Sequence, residues 1–338
     1  MKVAIVGATG AVGREMIRDL ETSQLEDVDL SLWASPRSAG AKLSFRGQSY
    51  EVKPFSVEAL KGVRFVLMSA GGAFSREFSR ALVAQGSTVI DNSSAWRMAD
   101  DVPLIVPECN GDTLRPDKPQ IIANPNCSTI QMVVALKPLK DNFGLSMVQV
   151  ATYQSVSGTG QKGIGELSEQ LEAHFKFQDV KPKVYAQPIA FNLLPGIDVF
   201  DEQGHCYEEI KMVKETRKIL DLPELEVLAS TVRVPTFNCH GEMVHVLLGE
   251  AVTREQALEA MASGSGIVLN REDTHAAQPT PRTSVGDQRV FVSRLRLPHG
   301  QSKSRWLQFW NVADNLKKGA ASNAVQILES ILGLRRAP

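Results

Sequence analysis

Cys127 stands in the run Asn124, Pro125, Asn126, Cys127, Ser128, Thr129, directly ahead of a mostly apolar stretch, Ile130 to Leu136, that reads as a helix. A cysteine near a helix N-terminus lies at the positive end of the dipole, which favours thiolate over thiol and makes the sulfur a nucleophile. Cys109, Cys206 and Cys239 have no such context and read as small, inert, buried residues. His240 carries the one side chain whose ordinary pKa, roughly 6.5, permits proton exchange at physiological pH. Taken alone, a histidine beside a β-rich run is more often structural. Arg233, a little earlier in the chain, can hold a carboxylate in a bidentate fork, although an exposed ion pair is the plainer reading. Glu208 and Lys211 are spaced to share one helix face, where from spacing alone a surface salt bridge is the better reading.

A second site lies at the N-terminus. Gly7, Ala8, Thr9, Gly10, Ala11, Val12 and Gly13 form a glycine-punctuated turn between an apolar run, Lys2 to Val6, and a stretch with Met16, Ile17 and Leu20 at helical spacing. Glycines there let backbone amides and a helix N-terminus approach a pyrophosphate, although the spacing is GxxGxxG and not GxGxxG. The next strand, Leu30 to Ala34, runs into Ser35, Pro36, Arg37 and Ser38. An acidic residue would suit NAD; a guanidinium flanked by hydroxyls suits the extra phosphate of NADP.

The Asn-Pro-Asn-Cys-Ser-Thr run resembles the catalytic-cysteine motif of aspartate-semialdehyde dehydrogenases. The segment Thr152 to Gly160 is similar to that family's next motif, the stretch Arg233 to Val246 to the one that holds its substrate arginine and catalytic histidine, and the GATGAVG turn and the run Val312 to Ile327 match in kind. One departure is Gly241, where many members have serine. The resemblance implies Cys127 as nucleophile, His240 as acid/base and Gln154 as a residue that orients the intermediate. It implies Arg233 for the substrate carboxylate, Glu208 for its amino group, and Arg97 with Lys211 for phosphate. Ser157, Gly158 and Asn315 join the cofactor residues. The implied reaction is the reversible, NADP- and phosphate-dependent oxidation of L-aspartate 4-semialdehyde to 4-phospho-L-aspartate through a thioester on Cys127. Its reductive direction serves lysine (through diaminopimelate), threonine and methionine biosynthesis. The rivals are another acyl-thioester reductase, such as N-acetyl-glutamyl-phosphate reductase or glyceraldehyde-3-phosphate dehydrogenase, and a non-catalytic NADP-binding homologue.

These residues need a scaffold. In the first third, apolar runs at Lys2 to Val6, Leu30 to Ala34, Arg64 to Ser69 and Ser87 to Ile90 alternate with helical stretches such as Ser75 to Gln85, the rhythm of a doubly wound parallel sheet. Longer β-rich runs follow at Ser146 to Val156, Glu226 to Val234 and Met243 to Ala251, with helices at Gly163 to Phe175 and Glu208 to Leu220. The expected fold is α/β, with an N-terminal Rossmann-type domain over 1–126 completed by a C-terminal helix in 314–338. An α+β catalytic and dimerisation domain with a mainly antiparallel sheet spans 127–313. In that helix Ala321, Val325, Leu328 and Leu332 form one apolar stripe, which should pack back on the first domain.

A chain of 338 residues with 43% hydrophobic and 22% charged residues has the composition of a folded, soluble protein of two domains. Its net charge of -1 offers no global field for nucleic acid or an anionic membrane. Four cysteines without CxxC spacing argue against a disulfide framework or a structural zinc, and no run approaches a membrane span or a signal peptide. A cytoplasmic homodimer or dimer of dimers without a metal is expected.

Overall fold

The computed structural model describes residues 1–116 and 118–334. Two compact units result, one built from Met1–Asn126 together with the chain from Ala320 onward, the other from Cys127–Gly319.

In the first unit β1 (Lys2–Val6) leads through the glycine turn into α1 (Ala11–Thr22), followed by β2 (Asp29–Ala34), β3 (Lys42–Phe45), β4 (Gln48–Pro54), β5 (Phe65–Met68), α2 (Gly72–Ala84), β6 (Thr88–Asp91), the short helix α3 (Pro107–Asn110) and β7 (Ile121–Ala123). The sheet order is β3-β4-β2-β1-β5-β6-β7, parallel except for the β3/β4 hairpin. From β1 the chain winds first toward β2 and later toward β5, so the glycine turn lies at the switch point, where α/β sheets take their ligands. The strands are apolar on both faces because each faces a core: Val3, Ile5, Leu32 and Leu67 on one side, Ala4, Val6, Val66 and Met68 on the other.

The second unit runs α4 (Cys127–Phe143), β8 (Leu145–Gln154), α5 (Gln161–Phe175), β9 (Leu194–Pro195), α6 (Tyr207–Leu220), β10 (Glu226–Arg233), β11 (His240–Val252), α7 (Arg254–Ala262), β12 (Ile267–Leu269), α8 (Pro281–Ser284), β13 (Val290–Arg296) and β14 (Ser304–Ala313). Its sheet, ordered β12-β13-β14-β11-β8-β10-β9, is mainly antiparallel, with parallel pairs at β8/β10 and β12/β13. The strand expected from Met243 starts at His240, because His240 already pairs with Gln154 on one side and Ala313 on the other.

A π-helical turn over Lys317–Ala321 leads into α9 (Ser322–Ile331). The return to the first unit starts at Ala320 and not at 314, since Asp314 accepts from the Gly286 amide and Asn315 is bonded inside the second unit. The expected stripe is only part of the buried surface of α9: Asn323, Gln326 and Glu329 are buried as well. Their polar ends are satisfied, Asn323 by Ile105 and Asn124, and Glu329 by the Gln24 amide. Ser322 bonds Asp19 of α1 at 2.7 Å. Of the expected C-terminal segment, 335–338 lies outside the described residues.

The glycine turn is held by close backbone approach. Gly7 has φ +88°, and a Cβ on it would stand 2.2 Å from the Ser69 carbonyl oxygen, while one on Gly13 would stand 2.2 Å from the carbonyl oxygen of Gly7. Gly13→Ala should therefore open the turn and cost about 1–3 kcal/mol in a urea unfolding curve, the usual range for overpacking. An unchanged midpoint would show that the turn has slack.

Candidate active site

Cys127 is the first residue of α4. The π-helical turn passes against it: a Cβ on Gly319 would lie 2.9 Å from the Cys127 Cβ and 3.5 Å from that of Asn315. Only a glycine lets the backbone come this near the sulfur-bearing residue. π-Turns recur at functional sites because they re-aim the chain locally.

The sheet aligns three of the expected residues in one row. Arg233 ends β10, Gln154 ends β8 and His240 begins β11, and the strand registers pair Arg233 with Gln154 and Gln154 with His240. All three side chains are buried. His240 is fully enclosed, and its Nδ1 accepts the backbone N–H of Ser155 at 3.1 Å. A ring nitrogen that accepts carries no proton, so the neutral imidazole holds its hydrogen on Nε2. Among the described residues that Nε2 has no partner, which leaves it available to donate. Burial, reinforced by the Arg233 charge, pushes the His240 pKa down to about 3. Gly158 lies against both groups, since a Cβ there would come within 2.7 Å of Arg233 Nη1 and 3.3 Å of His240 Nε2. Arg233 is steadied by donating to the Ser155 carbonyl at 2.8 Å. Asn315 closes the arrangement, its Oδ1 accepting from Ser155 Oγ at 3.2 Å, Ser157 Oγ at 3.0 Å and the Cys239 amide at 3.0 Å.

Gln154 Nε2 donates to Glu208 Oε1 at 3.2 Å, and Lys211 reaches Glu208 at 3.4 Å and Asp198 at 2.9 Å. Glu208 and Lys211 do share a helix face, yet Glu208 is buried, which sets the pair apart from an ordinary surface salt bridge. Glu208, Lys211, Asp198 and Arg233 line a pocket of about 680 Å³, together with the segment Val184, Tyr185, Ala186, Gln187. Two cations and two carboxylates around one cavity suit a small zwitterionic or phosphorylated molecule. The neighbour Glu209 is structural: it receives the Cys206 and Thr231 amides.

In the first unit, Gly10 is the N-cap of α1 and supplies no side-chain cap, leaving the helix-start amides to a ligand. Ser35 and Arg37 are exposed at the end of β2, in a short turn with Ser38, and no acidic side chain stands there. These residues fit a dinucleotide with a phosphorylated ribose. Arg97 is buried in the same unit and donates to the carbonyls of Asn124 at 2.9 Å and Asn92 at 3.0 Å. Asp91, bonded to Ser93 and Ser75, shapes the turn that delivers it.

Several contributors escaped the sequence reading. Ser155, which sets the tautomer of His240, was unremarkable within its motif. Behind His240, Gln131 bridges the His240 carbonyl and Asn311, and Asn311 donates to Glu242 at 2.9 Å. Glu242 is wholly buried, and burial pushes its pKa up to about 8. Two-residue periodicity from His240 would have put Glu242 on the same inward face. Gly241 faces the other way: a Cβ on it would stand 2.1 Å from the Trp310 ring, so here the indole occupies the space a serine would need. Of the remaining cysteines Cys206 and Cys239 are buried as expected, the Cys239 thiol pushed upward by that burial, whereas Cys109 is only partly buried. Among the described residues no cluster of three His, Cys, Asp or Glu side chains could hold a metal, and no helix is long and apolar enough to cross a membrane.

Residues 2–116 match the model of the semialdehyde dehydrogenase NAD-binding domain, and residues 136–318 that of the semialdehyde dehydrogenase dimerisation domain. The chain is 44% identical to an aspartate-semialdehyde dehydrogenase of Aquifex aeolicus over 98% of both chains. It is 45% identical to one of Legionella pneumophila, covering 97% of this chain and 95% of the other. The crystal structure of aspartate semialdehyde dehydrogenase II from Vibrio cholerae complexed with ASA superposes with a TM-score of 0.92 at 40% identity, covering 98% of each chain.

Two of the buried titrating groups, Glu242 and His240, make opposite contributions to stability. Glu242 is protonated in the folded state up to about 8 but only to 4.5 when unfolded, so its contribution is full below 4.5 and fades as pH rises toward 8. His240 acts in the other sense, since the unfolded chain binds its proton from 6.5 downward and the folded chain does not until about 3. Between 4.5 and 6.5 the two slopes cancel; from 6.5 to 8 Glu242 alone of the two acts. Melting temperature should fall over that upper interval in the wild type and stay flat in Glu242→Gln. A parallel fall in both proteins would contradict the assignment.

Proposed function

The chain belongs to the aspartate-semialdehyde dehydrogenase family, and on that premise we propose that it interconverts L-aspartate 4-semialdehyde and 4-phospho-L-aspartate with NADP and phosphate. The observation that carries the reading is the row Arg233, Gln154, His240, which ends beside the Glu208 and Lys211 pocket. The Cys127 thiolate attacks the aldehyde carbon, a C–S bond forms, and the carbonyl electron pair moves to oxygen. His240, neutral with its proton on Nε2, donates a hydrogen bond to that oxygen. The substrate carbon then loses its hydrogen as hydride, for which NADP when bound would be the acceptor, while the oxygen electron pair re-forms the carbonyl and leaves a thioester on Cys127. Phosphate then attacks the thioester carbon, the C–S bond breaks, and Cys127 leaves with the electron pair as thiolate. In biosynthesis the sequence runs backward, from acyl phosphate to aldehyde, toward lysine, threonine and methionine.

Arg233 pairs with the substrate carboxylate and Glu208 with its ammonium group, which places the aldehyde by charge at both ends. Gln154, bonded to Glu208, orients the intermediate. Lys211 and Arg97 take the phosphate. Gly7 to Gly13 hold the pyrophosphate, Ser35, Arg37 and Ser38 the ribose phosphate, and Ser157, Gly158 and Asn315 the nicotinamide end. Free thiols at all four cysteines suit a reducing cytoplasm. Exposed Tyr153 and Leu228 on the second sheet offer a face for a homodimer, in keeping with the dimerisation-domain match.

The assay is phosphate-dependent NADP reduction by L-aspartate 4-semialdehyde, run beside N-acetyl-glutamate semialdehyde. Activity on the aspartate substrate is expected, and activity on the N-acetyl compound alone would replace the reading. Cys127→Ser should lower kcat roughly 10⁴-fold or more while NADP binding is spared. Arg37→Ala should weaken NADP binding about 10-fold and leave NAD unaffected; equal effects on both would refute the ribose-phosphate role.

A further inference from the structure

Residues 183–190 form an irregular strap on the second unit, and four of them, Val184 to Gln187, line the same pocket as Glu208, Lys211 and Arg233. Irregular backbone has amide donors that no strand neighbour satisfies, and buried donors left unpaired are costly. Two side chains of α5, one helical turn apart, meet that need. The Glu166 carboxylate accepts the amides of Lys183 at 2.9 Å, of Tyr185 at 3.4 Å, and of Val184 between them. The Gln170 Oε1 accepts those of Ile189 at 2.8 Å and Ala190 at 3.0 Å. Gln170 Nε2 in turn donates to Glu166 at 3.1 Å, so the two acceptors are locked to each other. Both side chains are only 5% exposed.

The strap is seated as well as bonded. Ile189 packs with Val156 and Leu167 in a small separate core, with Tyr185, Ala190 and Leu194 against its edge. Tyr185 donates its hydroxyl hydrogen to Thr159 Oγ1 at 3.0 Å, next to Gly158, which abuts Arg233 and His240. A Cβ on Gly163 would stand 2.7 Å from the Tyr185 oxygen, so α5 is small where the tyrosine crosses it.

We infer that Glu166, supported by Gln170, is a positioning residue for the substrate pocket. Its carboxylate gathers successive strap amides and so holds the part of the pocket lining that the strap shares with the Glu208, Lys211 and Arg233 charges. This rests on the proposed reading of that pocket as the semialdehyde site. Glu166 touches none of the groups assigned to the chemistry, so its loss should act on substrate affinity and leave the chemical step alone. A displaced wall loosens the hold on the aldehyde without altering the Cys127 nucleophile.

The test is a KM-against-kcat separation in the intact chain. Glu166→Ala should raise KM for L-aspartate 4-semialdehyde about 10-fold or more, within the range that an ångström of misplacement produces, with kcat within about 3-fold. KM for NADP and the rate of Cys127 alkylation by iodoacetamide should stay at the wild-type values. Glu166→Gln keeps one acceptor oxygen beside a donor that opposes the amides, and should give an intermediate KM; it carries the same test if the alanine variant does not fold. Unchanged substrate KM in a folded variant overturns the inference, as does a fall in kcat with every KM rising together. Inactivity of the wild type on the semialdehyde would instead refute the functional reading. The strap would then be judged by tryptic cleavage after Lys183, faster in Glu166→Gln than in wild type if the latch holds it and equal if it does not.

Discussion

The structure depends on the register of three strands. β8 lies between β10 and β11, parallel to one and antiparallel to the other, and the ends of these strands bring Arg233, Gln154 and His240 into one row. Shifting either pairing by one residue would turn every side chain of that strand to the opposite face. A guanidinium, an amide and an imidazole, remote from one another along the chain, thus become neighbours through backbone hydrogen bonds. Side chains need only complete the arrangement, as Glu208 does from α6 by accepting from Gln154.

Burial then sets protonation. His240 and Glu242 lie on the same inward face of β11, and both are held neutral, one with its pKa lowered and the other with it raised. The common cause is desolvation, which penalises whichever form is charged. For His240 the consequence is chemical: with Nδ1 occupied by the Ser155 amide, the neutral ring can present only a donor. For Glu242 the consequence is structural. Two oxygens of the network, Glu242 Oε1 and Gln131 Oε1, lack a hydrogen-bond donor among the described residues, and burial keeps the Glu242 carboxyl protonated.

Close approach of backbone explains the glycines. Gly319 admits the π-turn beside Cys127, Gly158 leaves room for Arg233 and His240, and Gly241 yields its space to Trp310. At Gly319 and Gly158 a methyl group would intrude on a residue of the site, and at Gly241 on the opposite face of the sheet. The departure from the usual serine at 241 is therefore a packing exchange with position 310 and leaves the inward row intact.

Much of the protein was legible without coordinates. Hydrophobic periodicity marked the strands and helices, because burial on one or both faces leaves a repeat of two or an unbroken run. The glycine turn, the cysteine motif and the Arg233 to Val246 stretch identified the residues of interest because their chemistry is local. Tertiary structure alone decided the extended start of β11, the later return of the chain at Ala320, the burial of α9 on nearly all faces, the tautomer of His240 and the service of Glu166 and Gln170 to the strap. Each depends on a partner far away in sequence: Gln154 for His240, Asn124 for Asn323, Lys183 to Tyr185 for Glu166. Sequence determines which groups are available, and local periodicity determines which face they occupy. Which group meets which is set by strand register and packing, and those follow from the free energy of the whole fold and from no single segment of it.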